Sequence, residues 1–302
     1  MKAGVSRARE ADPAIDRLLD QFHAQTPIRA GSLIVTLFGD AILPRGGTLS
    51  LASITTIMRA FRIGEGLVRT AMSRLVHEGL FDRISVGRNS FFRLSKDGET
   101  LFSDAARRIY GAPPQDWNGV LTLALLDSSD RQILRAQLAS EDFAQLTPDL
   151  MIAVATTADA PVGALFLQVQ PKAEDAKRLA FKAWPLNQLG GRYASFQDKF
   201  RPLLDRSGGQ LQALDALIAR ILLIQDYRRI VLRDPLLPLP LLPDAWPGCE
   251  ALRLCATLYH NFLPRSEEWL SGHATTVEGP LPPPAESQAR RFSAILPTRS
   301  VT

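Results

Sequence analysis

The stretch from Phe61 to Leu94, FRIGEGLVRTAMSRLVHEGLFDRISVGRNSFFRL, admits few folds. From Glu65 to Glu78 the apolar residues Val68, Ala71, Met72, Leu75 and Val76 recur at three- and four-residue steps. That spacing lays them along one side of an α-helix. The side between them carries Arg69, Thr70, Ser73, Arg74 and His77, two guanidinium forks and two small hydroxyls with no carboxylate. Gly79 stops the helix, because glycine accepts the left-handed geometry of a helix end. Two apolar-aromatic runs follow, Leu80 to Val86 and Ser90 to Leu94, joined by Gly87-Arg88-Asn89. This is a hairpin signal with a cation at its tip. A helix and a basic-tipped hairpin predict a winged helix-turn-helix, the helix entering a DNA major groove and the wing touching the flanking backbone.

An ordinary solvated helix face would also be polar, so the local charge balance matters. Arg59, Arg62, Arg69, Arg74, Arg83, Arg88 and Arg93 stand here against Glu65, Glu78 and Asp82. The expected DNA contacts are Arg62, Arg69, Thr70, Ser73, Arg74, His77, Arg83, Arg88 and Asn89. Arginine can fork onto guanine O6 and N7, and threonine can offer a methyl to thymine.

The preceding segment supplies the other helices such a domain needs. Residues 28 to 43, IRAGSLIVTLFGDAIL, read as a buried first helix, ended by the turn Pro44-Arg45-Gly46-Gly47. Thr48 or Ser50 can cap the next helix, SLASITTIMRAF. Asp97 to Arg108 predicts a further helix behind the wing, and Tyr110 to Pro114 reads as a linker. The DNA-binding domain is thus placed at 28–110. Residues 1–27 before it, with Ile15, Leu18, Leu19 and Phe22 on one side, predict a flexible arm or a docking helix.

Beyond the linker, GVLTLALLD, DLMIAVAT and GALFLQVQ read as strands, with SDRQILRAQLAS and KAEDAKRLAFKAW as helices. Residues 115–184 therefore predict a ferredoxin-like α/β sandwich. A helical domain is expected at 186–271, its longest helix running from Gln210 to Leu232. Within it, prolines 235, 238, 240, 243 and 247 forbid a helix and favour a rigid extended course. The polar, proline-rich, aperiodic stretch 275–302 predicts a disordered tail. The whole is an α+β multidomain chain.

Composition agrees with a cytoplasmic protein. The 302 residues are 46% hydrophobic and 22% charged, with net charge +4, which permits a polyanionic partner. Cys249 and Cys255 are six apart, and His23, His77, His260 and His273 are scattered, so no metal-ligand spacing appears. There is no apolar run long enough to span a membrane, and the N-terminus lacks the apolar core of a signal peptide. No nucleophile elbow, Walker loop or dinucleotide fingerprint is present, so no catalytic residue, metal or cofactor is assigned.

Three blocks resemble the PaaX family of bacterial transcription regulators, repressors of phenylacetic acid catabolism. They are SLIVTLFGDAILPRGG, VRTAMSRLVHEGLFDRISVGRNSFFRLSKDG and, the most specific, DYRRIVLRDPLLPLPLLPDAWPG from Asp226 to Gly248. The resemblance implies a homodimer on an inverted-repeat operator, released by a CoA thioester such as phenylacetyl-CoA. It also implies a ferredoxin-like middle domain similar to the CRISPR adaptation endoribonucleases. Where relatives begin the recognition helix with Asn-Glu-Arg or Asn-Glu-Ser, this chain has Gly64-Glu65-Gly66, which removes a side-chain cap. A CoA thioester needs cations for its phosphates and an apolar or aromatic pocket for its acyl group. Tyr227, Arg228, Arg229, Arg233 and Trp246 supply both kinds and are the candidate effector contacts, although such a set also serves to brace a helix.

The rival expectation is a metal-dependent nuclease using Asp127, at the end of the middle domain's first strand. One carboxylate is a weak site, since two-metal chemistry wants several, and a helix cap is the competing role for it. A plain adaptor using the helical region is a third possibility, and would leave no sequence-specific footprint on DNA.

Overall fold

A computed structural model describes residues 12–25, 30–114, 116–127, 130–154, 159–206 and 211–296. The protein is α+β, with eleven α-helices and three antiparallel sheets among the described residues. None of those helices is long and apolar enough to cross a membrane. The chain divides into two compact units. One holds residues 1–111, 196–229 and 251–302, and the other holds 112–195 and 230–250.

The first unit begins with α1 (Pro13–His23), whose Ile15, Leu18, Leu19 and Phe22 are buried. It is a docked helix; residues 1–11 lie outside the described residues. Next come α2 (Ala30–Leu37), a π-helical turn (Phe38–Ile42) and a short 3-10 turn (Leu43–Arg45). Strand β1 (Thr48–Ser50) leads into α3 (Leu51–Ala60), capped as expected by the Ser50 hydroxyl, which accepts from the Ser53 amide at 3.1 Å. Helix α4 spans Glu65–His77 and starts at Gly64 with no side-chain cap. Gly79 follows it with φ of 75°, the left-handed stop that the sequence predicts.

The hairpin is β2 (Phe81–Val86) and β3 (Asn89–Leu94), with Val86 opposite Asn89 across the turn. β1 pairs on the far side of β3, giving the order β1-β3-β2. Helix α5 (Lys96–Tyr110) closes this part, its Ser95 cap accepting from the Gly98 amide. A Cβ at Gly39 would lie 2.5 Å from the Phe102 ring, so only glycine lets the π-helical turn lie this close to α5.

The second unit holds β4 (Leu121–Leu126), α6 (Arg131–Ser140), β5 (Ala144–Thr147), β6 (Leu150–Val154), β7 (Ala164–Val169), α7 (Ala173–Ala183) and the start of α8 (Leu186–Phe200). Its sheet has the order β5-β6-β4-β7 with every pair antiparallel. One side packs Leu121, Ile152, Ala176, Ala180 and Trp184 against Leu237, Leu241 and Leu242. The proline-rich strap thus buries Leu237, Leu241 and Leu242 as core, while Leu239 stays exposed. The other side packs Ala124, Leu126, Leu134, Leu138 and Met151. β5 is absent from the sequence reading, because AQLT is too short and polar to show alternation.

The first unit is completed by most of α9 (Ala213–Val231) and of α10 (Pro247–His273), with β8 (Thr275–Thr276), β9 (Gly279–Pro280) and α11 (Glu286–Ala289). Two expectations need correction. The helical stretch 186–271 does not form a unit of its own; residues 196–229 and 251–271 join the N-terminal part. Every residue from Ala216 to Gln225 is buried, so this part of α9 lies inside the core of the first unit. Nor are residues 275–296 a disordered tail; 297–302 lie outside the described residues. Phe292 is 1% exposed, with its ring 5.2 Å from Tyr110 and 5.4 Å from Tyr259, centroid to centroid. A few long-range contacts order this segment, and they leave no periodic trace in the sequence.

An ion-pair cluster joins these parts. Asp40, on the π-helical turn, meets Arg220 of α9 at 2.7 Å, and neither side chain is exposed. Arg291 reaches the same carboxylate at 3.1 Å, and the Tyr110 hydroxyl donates to it at 2.7 Å. Glu267 of α10 faces Arg220 and is bonded by Arg45 at 2.7 Å. Burial alone would lower the Arg220 pKa, but Asp40, Tyr259 and Glu267 outweigh it and raise it. Breaking a buried pair strands the remaining charge, which costs about 3–5 kcal/mol. Asp40→Ala is therefore expected to lower unfolding stability in urea by about that much. A loss within about 0.5 kcal/mol, the range of ordinary surface substitutions, would contradict this role.

Candidate nucleic-acid interface

Helix α4 buries Val68, Ala71, Met72 and Leu75 against its neighbours. Its register therefore turns Arg69, Thr70, Ser73, Arg74 and His77 to solvent, and all five are exposed. Arg62, Arg83, Arg88 and Asn89 are exposed as well. The nine expected contacts thus all reach solvent, and they differ in how far each is already occupied.

Arg62 is the most occupied. Its guanidinium bridges Asp20 at 2.5 Å and Asp16 at 2.8 Å, both on α1. Its backbone is left-handed at φ 58°, and its pKa is raised chiefly by the hydrogen bond to Asp20. Arg62 braces α1 to the turn before α4 and is not a free cation. Arg69 pairs with Glu65 at 2.5 Å and Arg74 with Glu78 at 3.4 Å, one helical turn away in each case. Such exposed pairs contribute less than about 1 kcal/mol and give way to a stronger anion. Arg74 also lies against α2, its Nη2 only 2.8 Å from where a Cβ on Gly31 would stand.

Thr70 donates its hydroxyl to the Gly66 carbonyl at 3.0 Å. On the hairpin, Arg83 donates to the Ser90 hydroxyl at 2.8 Å. Arg88, at the tip, has no ion-pair partner among the described residues.

A groove of about 800 Å³ runs between α3, the start of α4 and the hairpin. Arg59, Arg69, Arg83 and Arg88 line it, with Glu65 as the carboxylate among its lining residues. The sequence reading counted Arg59 in the basic cluster without assigning it a contact. It also missed Thr275, Thr276 and Val277, which form part of the groove wall. A smaller recess of about 200 Å³ lies beside it, lined by Arg69, Ser73 and Arg83 among others. An open groove with a surplus of guanidinium groups attracts a polyanion.

The five candidate effector contacts are divided between the two units. Tyr227, Arg228 and Arg229 belong to the first unit, while Arg233 and Trp246 belong to the second. Tyr227 is buried, its ring 5.5 Å from that of Phe196. Arg228 donates to the Ser32 carbonyl at 3.1 Å and to the Ser32 hydroxyl at 2.9 Å, tying α9 to α2. Burial brings its pKa down to about 10, with Tyr110 opposing and Arg229 adding to that shift. Arg229 donates to Gln25 Oε1 at 2.8 Å. Arg233 is exposed, and Trp246 packs edge-on to Tyr193 at 5.9 Å.

Asp127 follows β4 and is exposed, its amide donating to the Gly163 carbonyl at 2.9 Å. It does not cap the next helix, whose N-cap is Asp130. Among the described residues no group of three or more His, Cys, Asp or Glu side chains is placed to hold a metal ion.

A family model described as PaaX-like protein matches residues 29–98, and one described as PaaX-like protein C-terminal domain matches residues 184–272. The chain is 30% identical over 308 aligned positions to the transcriptional repressor PaaX of Escherichia coli K12, covering 93% of this chain and 95% of that one. An uncharacterized protein of Mycobacterium tuberculosis, Rv0674, aligns in structure with a TM-score of 0.46 and 18% identity, over 71% of this chain and 88% of that one. The class is that of transcriptional regulators, not enzymes. The chain belongs to the PaaX family.

Proposed function

We propose that the protein is a sequence-specific DNA-binding repressor, working in the cytoplasm, in which α3, α4 and the β2–β3 hairpin act as a winged helix-turn-helix. α4 enters the major groove and the wing follows the neighbouring backbone. One observation carries this reading: the arginine side of α4 faces solvent while its apolar side is buried. Base preference then comes from Arg69, Thr70, Ser73 and Arg74. Most of the affinity comes from phosphate contacts of the arginines and falls steeply with salt. A homodimer sets two α4 helices about 34 Å apart on an inverted repeat. The order β5-β6-β4-β7 supports a ferredoxin-like middle domain, although α7 follows the fourth strand instead of preceding it.

Likeness to the Escherichia coli repressor and the family resemblance together point to an aromatic-acid catabolic operon, with an aryl-CoA thioester such as phenylacetyl-CoA as the releasing effector. A ligand changes DNA affinity only by favouring one of two arrangements of the protein. The Arg228–Ser32 bonds suggest where that choice is made. They hold α9 to α2, and α2 packs against α4. A thioester phosphate that draws Arg228 off Ser32 loosens the support of the DNA-reading helix.

Titrating Arg69→Ala with the DNA upstream of the protein's own gene is expected to show a loss of about 1–3 kcal/mol and relaxed preference at one base pair. Wild-type affinity in that variant would refute the assignment of α4. For the effector, Arg228→Ala already lacks the Ser32 bonds, so it is expected to bind the same DNA at least 10-fold more weakly without effector (about 1.4 kcal/mol) and to respond little to added phenylacetyl-CoA. A folded variant with an unchanged release curve would remove Arg228 from the effector site.

A further inference from the structure

The C-terminal hairpin β8–β9 stands beside the DNA-reading elements, far in sequence from all of them. Its base is built into the fold. The Thr275 amide donates to the Ser53 hydroxyl at 2.9 Å, and the Thr275 hydroxyl bonds that of Ser50 at 2.9 Å, which is the cap of α3. At the other end Arg45, itself 1% exposed, donates to the Pro282 carbonyl at 2.6 Å and to the Ser271 hydroxyl at 2.7 Å. The turn is stiffened by the Glu278 amide donating to the Thr276 hydroxyl at 3.2 Å. The tip is left unpacked, with Val277 42% exposed. A hairpin held this firmly at its base, with an apolar side chain open to solvent at its tip, has the build of a contact element.

Its position supplies the partner. Thr275, Thr276 and Val277 line the same groove as Arg59, Arg69, Arg83 and Arg88. The β2–β3 hairpin and the β8–β9 hairpin both border that groove, with α3 contributing Arg59, Thr55 and Thr56. Arg59 is exposed and has no ion-pair partner among the described residues. Four guanidinium groups facing Glu65 suit a phosphodiester chain, and a valine with two threonines suits the sugars that accompany it.

We propose that β8–β9 is a second wing, and that one strand of the bound duplex runs through the groove between it and the first wing, with Arg59 on a phosphate. This rests on the DNA-binding reading above and extends the interface to a part of the chain that the sequence places 186 residues away, from Asn89 to Thr275. It also makes the end of α10 part of the interface, because Ala274 and Thr275 follow that helix directly.

The test places opposite charges at one exposed position in the full-length protein. Val277→Lys is expected to tighten binding to the upstream DNA about 3- to 10-fold and to steepen the salt slope by about 0.9. Val277→Glu is expected to weaken binding by a similar factor. Leu101→Lys, on α5 and 56% exposed, lies outside the groove and controls for net charge. Gain of affinity cannot come from misfolding, so the lysine variant reads contact directly. If both Val277 variants bind as wild type does, or if Leu101→Lys gains as much as Val277→Lys, the second wing is wrong while the first stands. If wild type shows no preference for any site in that DNA, the DNA-binding reading fails and the second wing falls with it.

Discussion

Asp40 has no exposed side-chain surface, and neither does Arg220, the guanidinium it meets at 2.7 Å. Taking such charges out of water is costly, and only close pairing with further hydrogen bonds offsets it. The protein supplies these bonds from four separate parts of the chain: Tyr110 at the end of α5, Glu267 on α10, Arg291 after α11, and Arg45 on the turn before β1. The π-helical turn presents Asp40 to α9, and insertions of this type recur where a helix is bent to a local purpose. The N-terminal elements therefore do not stand as a self-sufficient DNA-binding module. The turn that ends α2 carries a charge, Asp40, whose cationic partners among the described residues are Arg220 on α9 and Arg291 after α11.

That dependence explains what the sequence could and could not reveal. The α4 face and the hairpin are legible, because helical periodicity and turn residues are local signals, and Gly79 marks the end of α4 as Ser50 marks the start of α3. In the sequence Arg45 belongs to a turn signal, Pro44-Arg45-Gly46-Gly47; in the fold it is a buried anchor for Glu267 and Ser271. The cluster around Asp40 was invisible, since its members lie as much as 251 residues apart. The segment from 275 looked disordered for the same reason. Its order comes from Phe292 among tyrosine rings and Arg291 on Asp40, which composition does not encode.

The site was legible in part. All nine expected contacts are exposed, as a DNA-facing role requires, but Arg62 is already bound by Asp16 and Asp20. The carboxylates that hold it sit on α1, a helix the sequence left as either arm or dock. The sequence offers Arg228 as a cation for the phosphates of a CoA thioester, with helix bracing as the competing role, and its bonds run to Ser32 on α2. A long arginine side chain can serve both ends, and this one links the helix at the centre of the core to the helix beneath α4. On the effector reading proposed above, a ligand competing for these bonds acts on contacts that lie inside the first unit.

The central claim is that the exposed side of α4 lies against base edges. Site-specific cross-linking from Ser73→Cys, carrying a photoreactive group, to the upstream DNA tests it most directly. The account predicts cross-links to major-groove atoms of a few base pairs in each half of an inverted repeat. Cross-links spread evenly along the DNA, or none from a variant that still binds it, would contradict that placement.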